Sequence, residues 1–146
     1  MTDQELVEKK LAFIESCIAD LRHLARPELI EADLREQRFV AYTLQIAIQA
    51  ALDAASHIVA DERLGEPTNN RALFEALLRD GWLPPHLAPS LAGMVGFRNI
   101  LVHGYQAVDP AVVRDVVQRH LDDLLQFVAA IRAKLSSLNT SDTTSP

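Results

Sequence analysis

At 146 residues the chain has the length of one domain, enough for a core without disulfide or metal staples. Hydrophobic residues make up 49% and aromatic ones only 5%, with alanine and leucine prominent and glycine scarce, which excludes a disordered chain and favours helices over strands. The formal net charge of −6 excludes a generic nucleic-acid coat, whose affinity comes from neutralising phosphates, yet leaves room for a small basic site.

The first helix is expected over residues 3–25. Thr2 and Glu5 stand at capping-box spacing, and Val7, Leu11, Ile14, Ile18 and Leu21 form one apolar stripe before Pro27 ends the run. The single cysteine, Cys17, lies inside this pattern and reads as a core thiol of a reducing compartment. No apolar run has the length of a membrane span, and the acidic start (Asp3, Glu5) is unlike a signal peptide, so the chain reads as soluble and cytoplasmic.

A second helix is expected over residues 33–60, opened by Asp33 and Glu36 at capping-box spacing. Its stretch 46–58 is apolar around much of its circumference, as in a helix central to the domain or packed on a second subunit. Gly65 and Pro67 mark residues 61–69 as a loop. A short helix follows over 70–79, with Asn70 as N-cap, Gly81 as its stop, and Trp82 and Leu83 as packing anchors. Pro84, Pro85 and Pro89 restrict the next entry to extended or first-turn geometry, and the chain is helical again from about Ser90 until Gly104. After a turn over 105–108, Asp109-Pro110 starts a last helix through Val113, Val117, Leu121, Leu124, Val128, Ile131 and Leu135. Residues 139–146 form a Ser/Thr-rich tail expected to be disordered. The fold expected is all-α, an up-and-down bundle of four to five helices in a single domain over residues 1–138.

The densest chemistry lies in Phe97-Arg98-Asn99-Ile100-Leu101-Val102-His103-Gly104-Tyr105. A guanidinium grips phosphate as a planar fork, and a histidine titrating near neutrality moves protons. Together they suit RNA cleavage in which a 2′-hydroxyl attacks the adjacent phosphorus. On an ideal helix Arg98 and Tyr105, seven apart, share a face, whereas His103, five from Arg98, lies about 140° away. A regular helix therefore does not aim both at one phosphate. The break at Gly104, or a second subunit across a dimer axis, would. The competing reading is a plain helix terminus, with His103 capping carbonyls, Arg98 paired to an acid and Tyr105 packing.

Asp53 and His57, four apart in the second helix, form half a metal site with no third ligand at a recognisable spacing. Asp53 either orients Arg98 or is satisfied by backbone or solvent. His23, His86 and His120 read as surface or loop residues. No phosphate-cradling glycine loop, nucleophile elbow or cysteine cluster occurs.

The Arg-x4-His-x-Tyr motif, the stretch Leu-Asp-Ala-Ala-Ser-His-Ile ending at Ile58, and the segment from Leu73-Phe74 to Gly81 carry a family likeness. Over residues 6–131 the chain resembles the HepT-like branch of the HEPN superfamily, all-α toxins found beside a minimal nucleotidyltransferase antitoxin of the MntA type. The resemblance implies a metal-independent RNase without a cofactor, the toxin of a type VII-like toxin–antitoxin pair, acting on RNA (tRNA or mRNA) in a homodimer cleft. It implies Arg98 as phosphate ligand, His103 as acid–base catalyst, Asn99 as a supporting polar group and Asp53 as the acid orienting the site. Tyr105 would receive AMP from the partner enzyme. Gln49 departs from the pattern, since related chains often carry an acid there. Two other readings stand beside this one. One is a non-catalytic HEPN binding module, partner or substrate of a nucleotidyltransferase, in keeping with the acidic net charge. The other is a helical dimer whose motif is structural.

Overall fold

The computed structural model describes residues 2–144, and among them the chain forms six α-helices and no strand. The helices are α1 (Gln4–Leu24), α2 (Leu34–Asp61), α3 (Asn70–Arg79), α4 (Ala88–Leu101), α5 (Pro110–Arg119) and α6 (Leu121–Thr144). Short 3-10 turns at Pro27–Leu29, Pro85–Leu87 and Tyr105–Ala107 lie in the connections. No helix among the described residues is long and apolar enough to cross a membrane.

Four helices start where a side chain satisfies orphan backbone donors. Asp33 caps α2 through Arg35 and Glu36 N–H, Asn69 caps α3 through Ala72 N–H, and Asp109 caps α5 through Ala111 N–H ahead of Pro110. The cap of α1 is Asp3, which accepts from Leu6 N–H at 3.1 Å, and not the expected Thr2. Thr2 is drawn off by a tertiary partner, donating its hydroxyl to Glu62 at the far end of α2. The box expected at α2 is likewise only half made, because the Glu36 carboxylate accepts from Arg26 N–H. α3 stops two residues before a Gly81 with φ 79°, where Trp82 N–H returns to Leu77 O at 2.9 Å and swings Trp82 and Leu83 into the core.

α2 is the central helix. It packs on α1, α3, α4, α5 and α6, and its buried alanines at 41, 47, 50, 51, 54 and 55 let those neighbours approach closely. The expected α1 stripe, Val7 to Leu21, is entirely buried. Lys10–Asp53 and Thr2–Glu62 pairings set α1 antiparallel to α2, while Gln4–Asn139 and Arg22–Asp122 pairings set α6 antiparallel to α1. Arg132 of α6 clamps Glu8 and Glu15 of α1 in the same seam. Phe127 of α6 meets Phe74 of α3 edge-on, ring centroids 5.7 Å apart, both at the bottom of the core. Cys17 is buried as expected, and desolvation pushes its thiol up to about 11.

Two expectations about the C-terminal third change. The single last helix is two helices that meet at His120 (φ −119°, ψ 5°), without a proline or glycine to announce the break. The bend lets α5 lie along α2 while α6 turns onto α1, and the His120 ring bridges the corner between Asp115 and Asp123. The expected disordered tail is helical from Asn139 to Thr144, tied on by the paired amides of Asn139 and Gln4. Residues 145–146 lie outside the described residues.

Candidate active site

The motif straddles the end of α4. Arg98 and Asn99 sit on its last turn. Val102 forms the C-cap, and His103 lies in the turn beyond it, its N–H bonded to Ile100 O at 3.1 Å. The chain then reverses at Gly104, whose φ of 126° is a backbone region that side-chain-bearing residues rarely adopt. A Cβ there would also lie 3.2 Å from the Gln106 side chain. Tyr105 follows in a 3-10 turn, half-buried. The helix therefore ends before His103, as the five-residue step requires, and the seven-residue alignment of Arg98 with Tyr105 along α4 does not operate.

What aligns these two is α2. Tyr105 donates its hydroxyl to Gln45 Oε1 at 3.0 Å, and Arg98 Nε donates to Gln49 Oε1 at 3.1 Å. Gln45 and Gln49 stand one turn apart on the same face of α2, so the phenol and the guanidinium are hung side by side on a second helix. Burial and the neighbouring Tyr42 raise the Tyr105 phenol above its ordinary value, so it is protonated at neutral pH and available as a donor.

Asp53 is in the site but does not touch Arg98. One carboxylate oxygen accepts from Gln49 Nε2 at 2.9 Å, and the other pairs with Lys10 Nζ of α1 at 3.4 Å. The contact expected between acid and guanidinium is thus relayed through the Gln49 amide. Arg98 Nη1 donates to Asn99 Oδ1 at 3.2 Å. Among the described residues Arg98 has no carboxylate at ion-pair distance, and the exposed His103 side chain has no hydrogen-bond partner. The site thus has a fixed, uncompensated cation, a free imidazole and a protonated phenol.

Asp53 and His57 do not recruit further ligands, and no group of three His, Cys, Asp or Glu side chains gathers for a metal among the described residues. Elsewhere, His86 meets Gln126 and His23 meets Ala19 O, away from the motif. Gln45, Lys10 and Tyr42 are site neighbours that local patterning did not single out. A signal exists in the sequence: Tyr42, Gln45, Gln49 and Asp53 make a polar stripe at helical spacing through an otherwise apolar α2.

Comparison with known proteins decides the family. The model of the "Ribonuclease HepT-like" family matches residues 14–131. The chain belongs to the HepT-like ribonuclease family. It is 34% identical over 131 residues to the mRNA nuclease HepT of Shewanella oneidensis, covering 89% of this chain and 98% of that protein. It is 32% identical over 123 residues to the tRNA nuclease HepT of Aphanizomenon flos-aquae, covering 81% and 84%. The fold is similar to that of a tri-AMPylated Shewanella oneidensis HEPN toxin in complex with MNT antitoxin, with TM-score 0.81, 34% identity, and 91% and 99% of the two chains covered. Within this HepT-like frame, the uncharged Gln49 stands directly against the motif arginine.

Proposed function

We propose that this HepT-like protein is the toxin of a toxin–antitoxin pair, a metal-independent endoribonuclease silenced by AMP transfer to Tyr105. The observation that carries the reading is the pair of α2 amides holding Tyr105 and Arg98 side by side, with His103 free beyond the helix end. Arg98 holds the non-bridging oxygens of the scissile phosphate with its outward guanidinium nitrogens. His103 takes the proton of the 2′-hydroxyl as its oxygen attacks phosphorus, and a proton is returned to the departing 5′-oxygen. The second transfer needs an acid on the opposite side of the phosphorus, which a twofold mate supplies in a homodimer. Exposed Ile100, Val102 and Val112 beside the motif support that dimer, as does the mostly apolar cleft of about 440 Å³ between α4 and α5 into which Ile100 and Val112 face.

Silencing follows from the same geometry. An adenylate on the Tyr105 oxygen places a phosphate and its bulk beside Arg98, where RNA phosphate would bind. The partner is a minimal nucleotidyltransferase, as in the relatives crystallised with their antitoxins. The test is cleavage of tRNA and mRNA by the purified protein in chelator, against His103→Ala. The exposed, unpartnered imidazole predicts an unchanged melting temperature, and loss of general acid–base catalysis predicts a fall of about 10²–10⁴-fold in rate. Equal cleavage by the two proteins would falsify the assignment.

A further inference from the structure

The hydrogen bonds around Asp53 form a directional chain across three helices: Lys10 on α1, Asp53 and Gln49 on α2, Arg98 on α4. The direction of the central amide is dictated by chemistry. A carboxylate can only accept, so Gln49 must turn Nε2 toward Asp53 Oδ1, leaving Oε1 for Arg98 Nε. The amide passes orientation from Asp53 to Arg98 but carries no charge. The charge of Asp53 is met on its other oxygen by Lys10 Nζ. The guanidinium is therefore fixed in place without being neutralised.

We propose that Gln49 and Lys10 are positioning residues that set the affinity of the site for RNA phosphate. Gln49 aims Arg98 while keeping a carboxylate off it, and Lys10 holds Asp53 away from it. This inference rests on the reading of Arg98 as the phosphate ligand. A carboxylate at position 49 would form a two-pronged pair with Arg98 and compete with the phosphate for the same fork. Without Lys10, Asp53 loses its counter-charge, and the Arg98 guanidinium stands one amide away.

The experiment is steady-state RNA cleavage by the full chain, with Kd for the same RNA measured in a His103→Ala background. Lys10→Met raises KM and Kd about fivefold, the range of a partly exposed ion pair, and leaves kcat within about twofold. Adding Asp53→Asn to Lys10→Met lowers KM and Kd again, because asparagine still offers Oδ1 to Gln49 but has no charge to give Arg98. Gln49→Glu raises KM and Kd by about tenfold or more, as expected of a two-pronged arginine–carboxylate pair. A merely structural Lys10 would lower the melting temperature without moving KM, and Asp53→Asn would rescue nothing. Unchanged KM in Lys10→Met, or no rescue by Asp53→Asn, overturns the inference while the ribonuclease reading stands. A wild-type chain that cleaves no RNA overturns the ribonuclease reading itself, and the inference with it.

Discussion

Replacing Tyr105 by phenylalanine separates what its ring does from what its hydroxyl does. The ring packs against the core from its half-buried turn and stays in Tyr105→Phe. The only hydrogen bond lost among the described residues is the 3.0 Å bond to Gln45 Oε1, and the amide of Gln45, itself half-buried, can turn to solvent. A single neutral bond of this kind contributes about 1 kcal/mol. For a chain of this size that is about 3 °C of melting temperature. The hydroxyl is also the proposed acceptor of AMP. Like any phenol it is protonated at neutral pH, and burial and Tyr42 raise it further, so the transferring enzyme must take the proton as the phenol oxygen attacks the α-phosphorus and pyrophosphate leaves. Co-expression with the cognate nucleotidyltransferase followed by intact mass should therefore show AMP-sized increments on the wild type and none on Tyr105→Phe. RNA cleavage by the variant should persist in the presence of the antitoxin. Increments that persist would refute Tyr105 as acceptor. A melting temperature lowered by more than about 10 °C would refute the claim that the hydroxyl is structurally minor.

Three further outcomes test the frame around the site. Phe127→Ala should cost about 3–5 kcal/mol by urea unfolding, since the ring is fully buried and meets Phe74 edge-on; a loss under about 1 kcal/mol would mean the α3–α6 core is loose. Gly104→Ala should lower stability by about 1–3 kcal/mol and reduce cleavage far more, because the strained φ and the crowded Gln106 side chain shift both His103 and Tyr105; retained activity would show that the reversal is not needed. The Arg132 hydrogen bond, with its charge, depresses the Glu15 carboxyl in the folded chain. That contribution is present above the ordinary carboxylate pKa and is lost as pH falls through the lowered folded value. Arg132→Met should therefore be less stable than wild type at neutral pH, with the gap closing as pH falls below the ordinary carboxylate range; a gap independent of pH would mean packing, not charge, holds that seam.

Elements whose ends are set by neighbouring residues were legible. α3 spans the residues its spacing predicts, with Asn69 as the cap instead of the expected Asn70, because the cap, the amphipathic face and Gly81 all lie in or beside the segment. Where a distant partner competes, local pattern misleads. The Thr2–Glu5 spacing was real, but the Thr2 hydroxyl prefers Glu62, sixty residues on, and Asp3 takes the cap. At His120 the apolar spacing continues across the break, with Val113 and Val117 buried before it and Leu121 and Leu124 after it. Nothing in that pattern tells one helix from two, since the bend comes from α5 and α6 having different neighbours.

The candidate site shows the same division, and it explains why the motif needs the whole fold. Arg98, Asn99, His103 and Tyr105 could be named from a nine-residue stretch, but that stretch holds none of the contacts that orient Tyr105, and only Asn99 among those of Arg98. α4 ends at Leu101, so helical periodicity cannot carry the geometry onward to His103 and Tyr105. The alignment is supplied from outside by Gln45 and Gln49, polar interruptions in a helix whose alanine content reads first as close packing. Close packing and polar grip depend on each other here. Small buried side chains let α2 approach α4 and its following turn closely enough for glutamines to reach the arginine and the tyrosine. Larger residues at those alanines would push the helices apart and break the grip before they unfolded the core. The reach of Lys10 to Asp53 belongs to the same logic: forty-three residues apart, they meet only because α1 and α2 pack antiparallel along that seam.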